Sequence, residues 1–134
     1  MPRDVVRVRR AALLAVALAA VAGCTDSTGL PPGCTGAVTV AVGAGTAPDI
    51  SWAPACLINE VWVHTTNNIT MWRIGGAGTP EIIAPSVRYG VTPSGVPPQT
   101  ATPLQPGKTY TVELYSIDTI NGGQSLQGTL DFAP

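Results

Sequence analysis

The stretch LQPGKTYTVELYSID, Leu104 to Asp118, decides the fold. Pro106-Gly107 is a tight-turn pair placed directly before Tyr110. From Lys108 onward the chain alternates, with Tyr110, Val112 and Leu114 on one side and Thr109, Thr111 and Glu113 on the other. That period of two belongs to a strand with one buried and one wet face. A Tyr opening such a strand after a turn suits a tyrosine corner, in which the ring enters the core and the hydroxyl bonds back to the backbone of the preceding loop.

Working outward, the run Leu104-x-Pro106-Gly107-x-x-Tyr110 resembles the corner that joins the two sheets in the fibronectin type III family. Trp52, isolated between turn signals, resembles the buried Trp of that family's second strand. The resemblance covers Thr46 to Phe132 and implies a β-sandwich, not an activity. The residues themselves read as seven short strands. Ala37–Val42 alternates and is closed by Gly43-Ala44-Gly45; Ile50–Trp52 follows and ends at Pro54. Leu57–His64 is third, with Leu57, Val61 and Val63 as the inward set and Ile58, Glu60, Trp62 and His64 turned outward. Asn67-Asn68 turns the chain into Thr70–Ile74, which Gly75–Gly78 closes. Glu81–Val91 is a fifth strand edged or interrupted by Pro85. A Pro-rich connection, Thr92–Pro103, leads to the Tyr110 strand. After Asn121-Gly122-Gly123, a strong hairpin signal, a seventh strand turns Leu126, Gly128, Leu130 and Phe132 inward. The expected fold is all-β, a seven-stranded antiparallel immunoglobulin-like or fibronectin type III-like β-sandwich following a lipoprotein signal peptide.

The first two dozen residues have a different character. Met1–Arg10 is basic and Ala11–Ala22 is apolar, and twelve residues fall short of the roughly 20 that cross a bilayer. This is the layout of an export signal. Its end, Val21-Ala22-Gly23-Cys24, resembles the lipobox of bacterial lipoproteins, which implies cleavage before Cys24 and acylation of that residue. Ordinary cleavage after Ala22 also satisfies the small-x-small rule and stays open as the rival. The expected division is a signal peptide over 1–23, a lipidated Cys and polar tether over 24–35, and the sandwich over 36–134. At about 5–6 Å × √n, the nine residues Thr25–Gly33 would average roughly 15–18 Å.

Three Cys in an exported chain leave one unpaired, and lipidation of Cys24 removes the odd one. Cys34 precedes the first strand and Cys56 follows the second. Antiparallel neighbours bring those two points to one end of a sandwich, so a Cys34–Cys56 disulfide is expected in an oxidising compartment.

Charge narrows the partners. Arg3, Arg7, Arg9 and Arg10 lie in the leader, leaving Arg73, Arg88 and Lys108 against seven carboxylates beyond it, a net −4. Such a surface does not attract phosphates, which excludes a nucleic-acid footprint. The single His64 has no second His to join it in a zinc set of three or four ligands. The carboxylates are scattered, although Asp118 and Asp131 could meet across the last hairpin. No nucleophile, phosphate-loop or calcium-loop motif occurs.

The expectation is therefore no enzyme, no metal and no cofactor. The chain reads as a lipid-anchored module of the bacterial cell envelope, facing the periplasm or the cell exterior, that binds an envelope protein or has a structural role. The competing reading is a carbohydrate-binding module. It would use Trp62 and Tyr115, from strands that neighbour each other in this fold, as stacking platforms.

Overall fold

The computed structural model describes residues 29–134. The expected signal peptide, Cys24 and the tether through Thr28 lie outside the described residues. The rest is all-β. The strands are β1 Thr39–Val42, β2 Asp49–Ala53, β3 Glu60–Thr65, β4 Thr70–Gly75, β5 Val87–Arg88, β6 Tyr110–Ile117 and β7 Gln124–Phe132. They form two antiparallel sheets, ordered β1-β2-β5 and β4-β3-β6-β7.

The core lies between the sheets and follows the alternation in the sequence. Val40, Ile50, Trp52 and Val87 from the first sheet meet Val61, Val63, Trp72, Ile74, Val112 and Leu114 from the second. Burial of such side chains at about 25 cal/mol per Å² is the main force holding two half-apolar sheets together. Trp52 donates its Nε1–H to the Cys56 carbonyl at 2.8 Å, so the ring is buried without losing a hydrogen bond. Cys34 and Cys56 are joined, with Cα atoms 4.9 Å apart. Pro32–Cys34 is also held by backbone bonds, Leu57 N–H to the Pro32 carbonyl and Cys34 N–H to the Leu57 carbonyl, each 2.9 Å. The end of the expected tether is thus fastened to the segment that follows β2.

The antiparallel order defines two ends. The disulfide, the Gly75–Glu81 segment and the β6–β7 hairpin lie at the end where the chain enters. The β1–β2 and β3–β4 turns, the Gln105–Lys108 turn and Pro134 lie at the other.

Several strands differ from the sequence reading. The fifth shrinks to Val87–Arg88, because Pro85 cannot donate to a ladder; Ile83 instead makes an isolated bridge with Ile58. Ile58, expected outward, is buried by that bridge as the chain passes between sheets. On β7, a register shift opposite Leu114/Tyr115 reverses the facing of Leu126. Leu126 pairs with Tyr115 and is 49% exposed, while Gln127 is buried. Gly128, Leu130 and Phe132 lie opposite Leu114, Val112 and Tyr110, on the inward side as expected. Asp131 lies opposite Thr111, whereas Asp118 bonds to Gly123 at the other end, so those two acids do not meet.

At Gly128 the backbone of β7 passes close against β1 and the residue before it. A Cβ there would stand 2.7 Å from Val40 Cγ2 and 2.9 Å from the Val38 carbonyl oxygen. Val38 N–H donates to Gln127 O at 2.8 Å, so β1 seals the entry end of β7.

Candidate functional site

The Tyr110 hydroxyl accepts a hydrogen bond from the Gln105 N–H at 2.9 Å. The ring is buried, 5.9 Å from Phe132 between centroids, and Leu104 is buried beside the loop. Gly107 takes φ 77°, a left-handed conformation that glycine adopts without steric cost. Leu104, Pro106, Gly107 and Tyr110 thus form a structural corner and present no reactive group. A second tyrosine, Tyr89, does similar work unannounced by any motif. Its hydroxyl donates to the Thr102 carbonyl at 2.6 Å, and its ring lies 5.3 Å from Trp72. Burial, then the neighbouring Tyr110, raise its pKa to about 12.

The chemically richest surface is the outer face of the β4-β3-β6-β7 sheet. Period-two geometry places Glu60, Trp62 and His64 of β3 beside Tyr115, Glu113 and Thr111 of β6, and Arg73 of β4 beside Trp62. Trp62 and Tyr115 do share this face, but on a diagonal: Trp62 is opposite Glu113, and Tyr115 is opposite Glu60. Both rings are half-buried. The Trp62 ring is already occupied. The Arg73 guanidinium lies over it at 5.5 Å, the His64 ring is 4.3 Å away, and Nε1–H donates to Thr70 Oγ1 at 2.9 Å. Cation–π contact of this kind uses the π-face that a sugar ring would need.

Around the rings runs a polar network. The Glu60 carboxylate, 1% exposed, takes a charge-assisted bond from Arg73 Nε at 2.7 Å and another from Gln124 Nε2 at 2.6 Å. One carboxylate therefore links β4, β3 and β7. Burial of an unpaired charge would be strongly unfavourable, and this pairing offsets it. Tyr115 donates its hydroxyl to Glu113 Oε2 at 2.6 Å. Burial, followed by that bond and the charges of Glu113 and Glu60, raises the Tyr115 pKa to about 12.

His64 points to the outer side of the sheet, as the alternation implies, yet it is buried under its neighbours. Its Nδ1 lies 2.8 Å from the Thr65 carbonyl oxygen, which can only accept, so Nδ1 carries the proton. Nε2 is left without a hydrogen-bond partner, 3.7 Å from Glu113 Oε2. Among the described residues no group of three or more His, Cys, Asp and Glu converges to hold a metal. Sequence reasoning put Glu60 on this face without a role for it, and missed Arg73 and Leu126. The i to i+2 spacing from Glu60 to Trp62 gave the facing of the first, and its partners needed the register; Arg73 needed the β3–β4 register and Leu126 the bulge.

No known protein family, curated protein or solved structure matches the chain.

Two depressions open at the ends of the sandwich. One of about 530 Å³ lies between the β3–β4 turn and the corner loop, with Ile69, Met71, Lys108 and Tyr110 in its lining. The other, of about 610 Å³, lies at the entry end between Pro32–Thr35 and the β6–β7 hairpin, and includes Glu81, Asp118 and Ile120. Glu81 Oε1 accepts the Ile117 N–H at 3.0 Å, fastening the segment before β5 to the end of β6.

Proposed function

We propose that the chain is a lipid-anchored protein of the bacterial cell envelope, acylated at Cys24, whose immunoglobulin-like domain is a non-catalytic protein-binding module. Support for the immunoglobulin-like assignment comes from seven strands divided between two antiparallel sheets, with the third strand beside the sixth and a Tyr110 hydroxyl bonded to the Gln105 backbone. The fibronectin type III-like reading rests on the same corner together with buried Trp52.

The observation that carries the binding role is the composition of the outer face of the β4-β3-β6-β7 sheet. Two half-buried aromatics, Trp62 and Tyr115, lie beside exposed Leu126 and an Arg73–Glu60 pair. Aromatic and Arg side chains held by their neighbours are the usual anchors of protein interfaces. The carbohydrate reading loses ground, because Arg73 and His64 already pack on Trp62, and Trp62 and Tyr115 are neighbours only on a diagonal. The polar groups of the face bond mainly to one another, which favours a recognition surface over a reaction centre.

Two measurements test this reading. The mass of the N-terminal peptide from membrane-extracted protein should be that of an acylated Cys24; a product beginning at Gly23 overturns the anchor. A photo-crosslinking side chain at Leu126 should capture a protein partner in intact cells, while the same probe at Thr39, on the other sheet, should not. Equal capture at both positions, or none at Leu126, overturns the assignment of the face.

A further inference from the structure

We propose that the entry end of the domain is a lipid-contacting surface, on which Ile120 and Leu30 insert into the bilayer interface. This rests on the lipid anchor at Cys24 proposed above, and it adds a contact that the anchor does not require.

Ile120 is 90% exposed and Leu30 is 74% exposed, the two most exposed of the large apolar side chains described. Both lie at the end where the chain enters. Ile120 lines the same depression as Pro32, two residues after Leu30. The display of Ile120 is built in. Asp118 Oδ1 accepts the N–H groups of Ile120 at 2.9 Å and Asn121 at 3.0 Å, and Oδ2 accepts from the Asn121 side chain at 3.0 Å. Asp118 N–H closes the hairpin on the Gly123 carbonyl at 3.1 Å. These bonds hold the Asp118 carboxyl below its usual range, those from Asn121 first. The same bonds hold the hairpin tip in the form that displays Ile120.

The covalent geometry supplies the occupant. Seven residues, and so eight Cα–Cα steps, separate Cys24 from Pro32, where the chain becomes fastened to Leu57 and, through Cys34, to Cys56. Fully extended, eight steps reach at most about 29 Å. The eight residues of β6 rise about 26 Å from the corner loop to the hairpin. An acyl chain on Cys24 therefore keeps the hairpin tip within reach of the lipid, whereas the opposite end stands a whole strand further away. That opposite end also shows an apolar side chain, Ile69 at 61% exposed, and so provides a matched control.

The chemistry favours neutral lipid. The entry-end depression contains Glu81 and Asp118 and no Lys or Arg. Beyond the leader the basic residues are Arg73, on the outer sheet face, and Arg88 and Lys108, towards the other end. The contact is apolar, of the kind made by interfacial side chains, with no polybasic attraction to anionic headgroups.

The test uses the full lipidated chain in phosphatidylcholine vesicles, with a diazirine side chain replacing either Ile120 or Ile69. The Ile120 probe should give about tenfold more acyl-chain adduct than the Ile69 probe, the ratio expected from burying part of one aliphatic side chain. A Leu30 probe should lose most of its adduct when Ile120→Asp is introduced and keep it with Ile69→Asp. Enriching the vesicles in phosphatidylglycerol should leave the yield unchanged or lower it. Equal yields at Ile120 and Ile69, or a yield that rises with anionic lipid, overturn the inference. The mass of the N-terminal peptide from the same sample separates the two failures. An unacylated Cys24 removes the anchor and the inference together, whereas an acylated Cys24 with equal yields removes the inference alone.

Discussion

Replacing Tyr110 by Phe removes one oxygen atom and leaves the ring in place. In the native domain that oxygen accepts the Gln105 N–H at 2.9 Å, and the ring beneath it is buried against Phe132 and the Leu104 side of the loop. The variant keeps the apolar burial and strands one backbone donor. Loss of a buried partner costs about 1–3 kcal/mol. Gln105 itself is exposed, so water can reach part of the freed N–H and the lower half of that range applies, about 1–2 kcal/mol. For a domain of this size, each kcal/mol moves the melting midpoint by about 4–8 °C. Tyr110→Ala removes the ring as well and should cost about 3–5 kcal/mol, because the neighbours collapse only partly into the cavity. Urea denaturation of the lipid-free domain, followed by tryptophan fluorescence, measures both variants against the same baseline. Equal midpoints for the native protein and Tyr110→Phe would mean that the hydroxyl contributes nothing. The corner would then be a matter of ring packing alone.

Other consequences are open to the same methods. Cys34→Ser with Cys56→Ser opens a link across a sequence separation of 22 and should cost about 3 kcal/mol in denaturation, with peptide mapping of the native protein finding the two cysteines joined. Gly128→Ala pushes a Cβ against the Val38 carbonyl, which cannot rotate away, and should cost about 1–3 kcal/mol, whereas Thr129→Ala on the exposed side should cost little. Tyr115 has a folded pKa of about 12 against 10.0 for the free phenol, so its contribution is fully present below pH 10 and lost as pH rises towards 12; alkaline absorbance titration should show one fewer late-ionising phenol in Tyr115→Phe. Asp118 has the opposite sign: its pKa is lowered, so the order it lends to the hairpin tip holds above the ordinary carboxylate range and is lost as pH falls below it. The amide shifts of Ile120 and Asn121 should report that loss together.

The parts of this fold legible in the sequence are those fixed by local rules. Pro106-Gly107 before an alternating run, Asn121-Gly122-Gly123 between two such runs, and Pro54 after Trp52 each act within a few residues. Cys34 and Cys56 were legible one step further, since only the direction of the first two strands was needed to bring them together. What escaped depends on register. Leu126 looks inward by simple alternation, but one extra residue at Gln127 turns it to the outer face. Glu60 looks like an ordinary exposed carboxylate until β4 and β7 bring Arg73 and Gln124 to it from 13 and 64 residues away. Tyr89 carries no turn signature, and its partner Thr102 lies in a connection without periodicity. The candidate face was half legible for the same reason. Alternation put Trp62 and Tyr115 on one side, while pairing decided that Arg73 and Glu113 would lie among them.

Edge chemistry then limits how such a domain can meet a partner. A protein anchored as proposed would be concentrated in two dimensions, where an open strand edge invites pairing with the next copy. Here each outer strand is short or covered. β5 has two residues and β1 has four. The β4 edge is capped where Thr102 N–H donates to the Met71 carbonyl at 2.8 Å. At the entry end of β7, Val38 N–H occupies the Gln127 carbonyl, and the distal part carries exposed Asp131, bonded through Oδ1 to Thr111. Strand addition is therefore disfavoured at these edges, and under the proposed binding role recognition would fall to side chains. The two proposed surfaces present such side chains: the outer face around Trp62, Tyr115 and Leu126, and the entry end around Ile120 and Leu30. They are roughly perpendicular in a sandwich, since one is a sheet face and the other a loop end. With the loop end on lipid, the sheet face stands along the membrane normal, open to a partner approaching from the side.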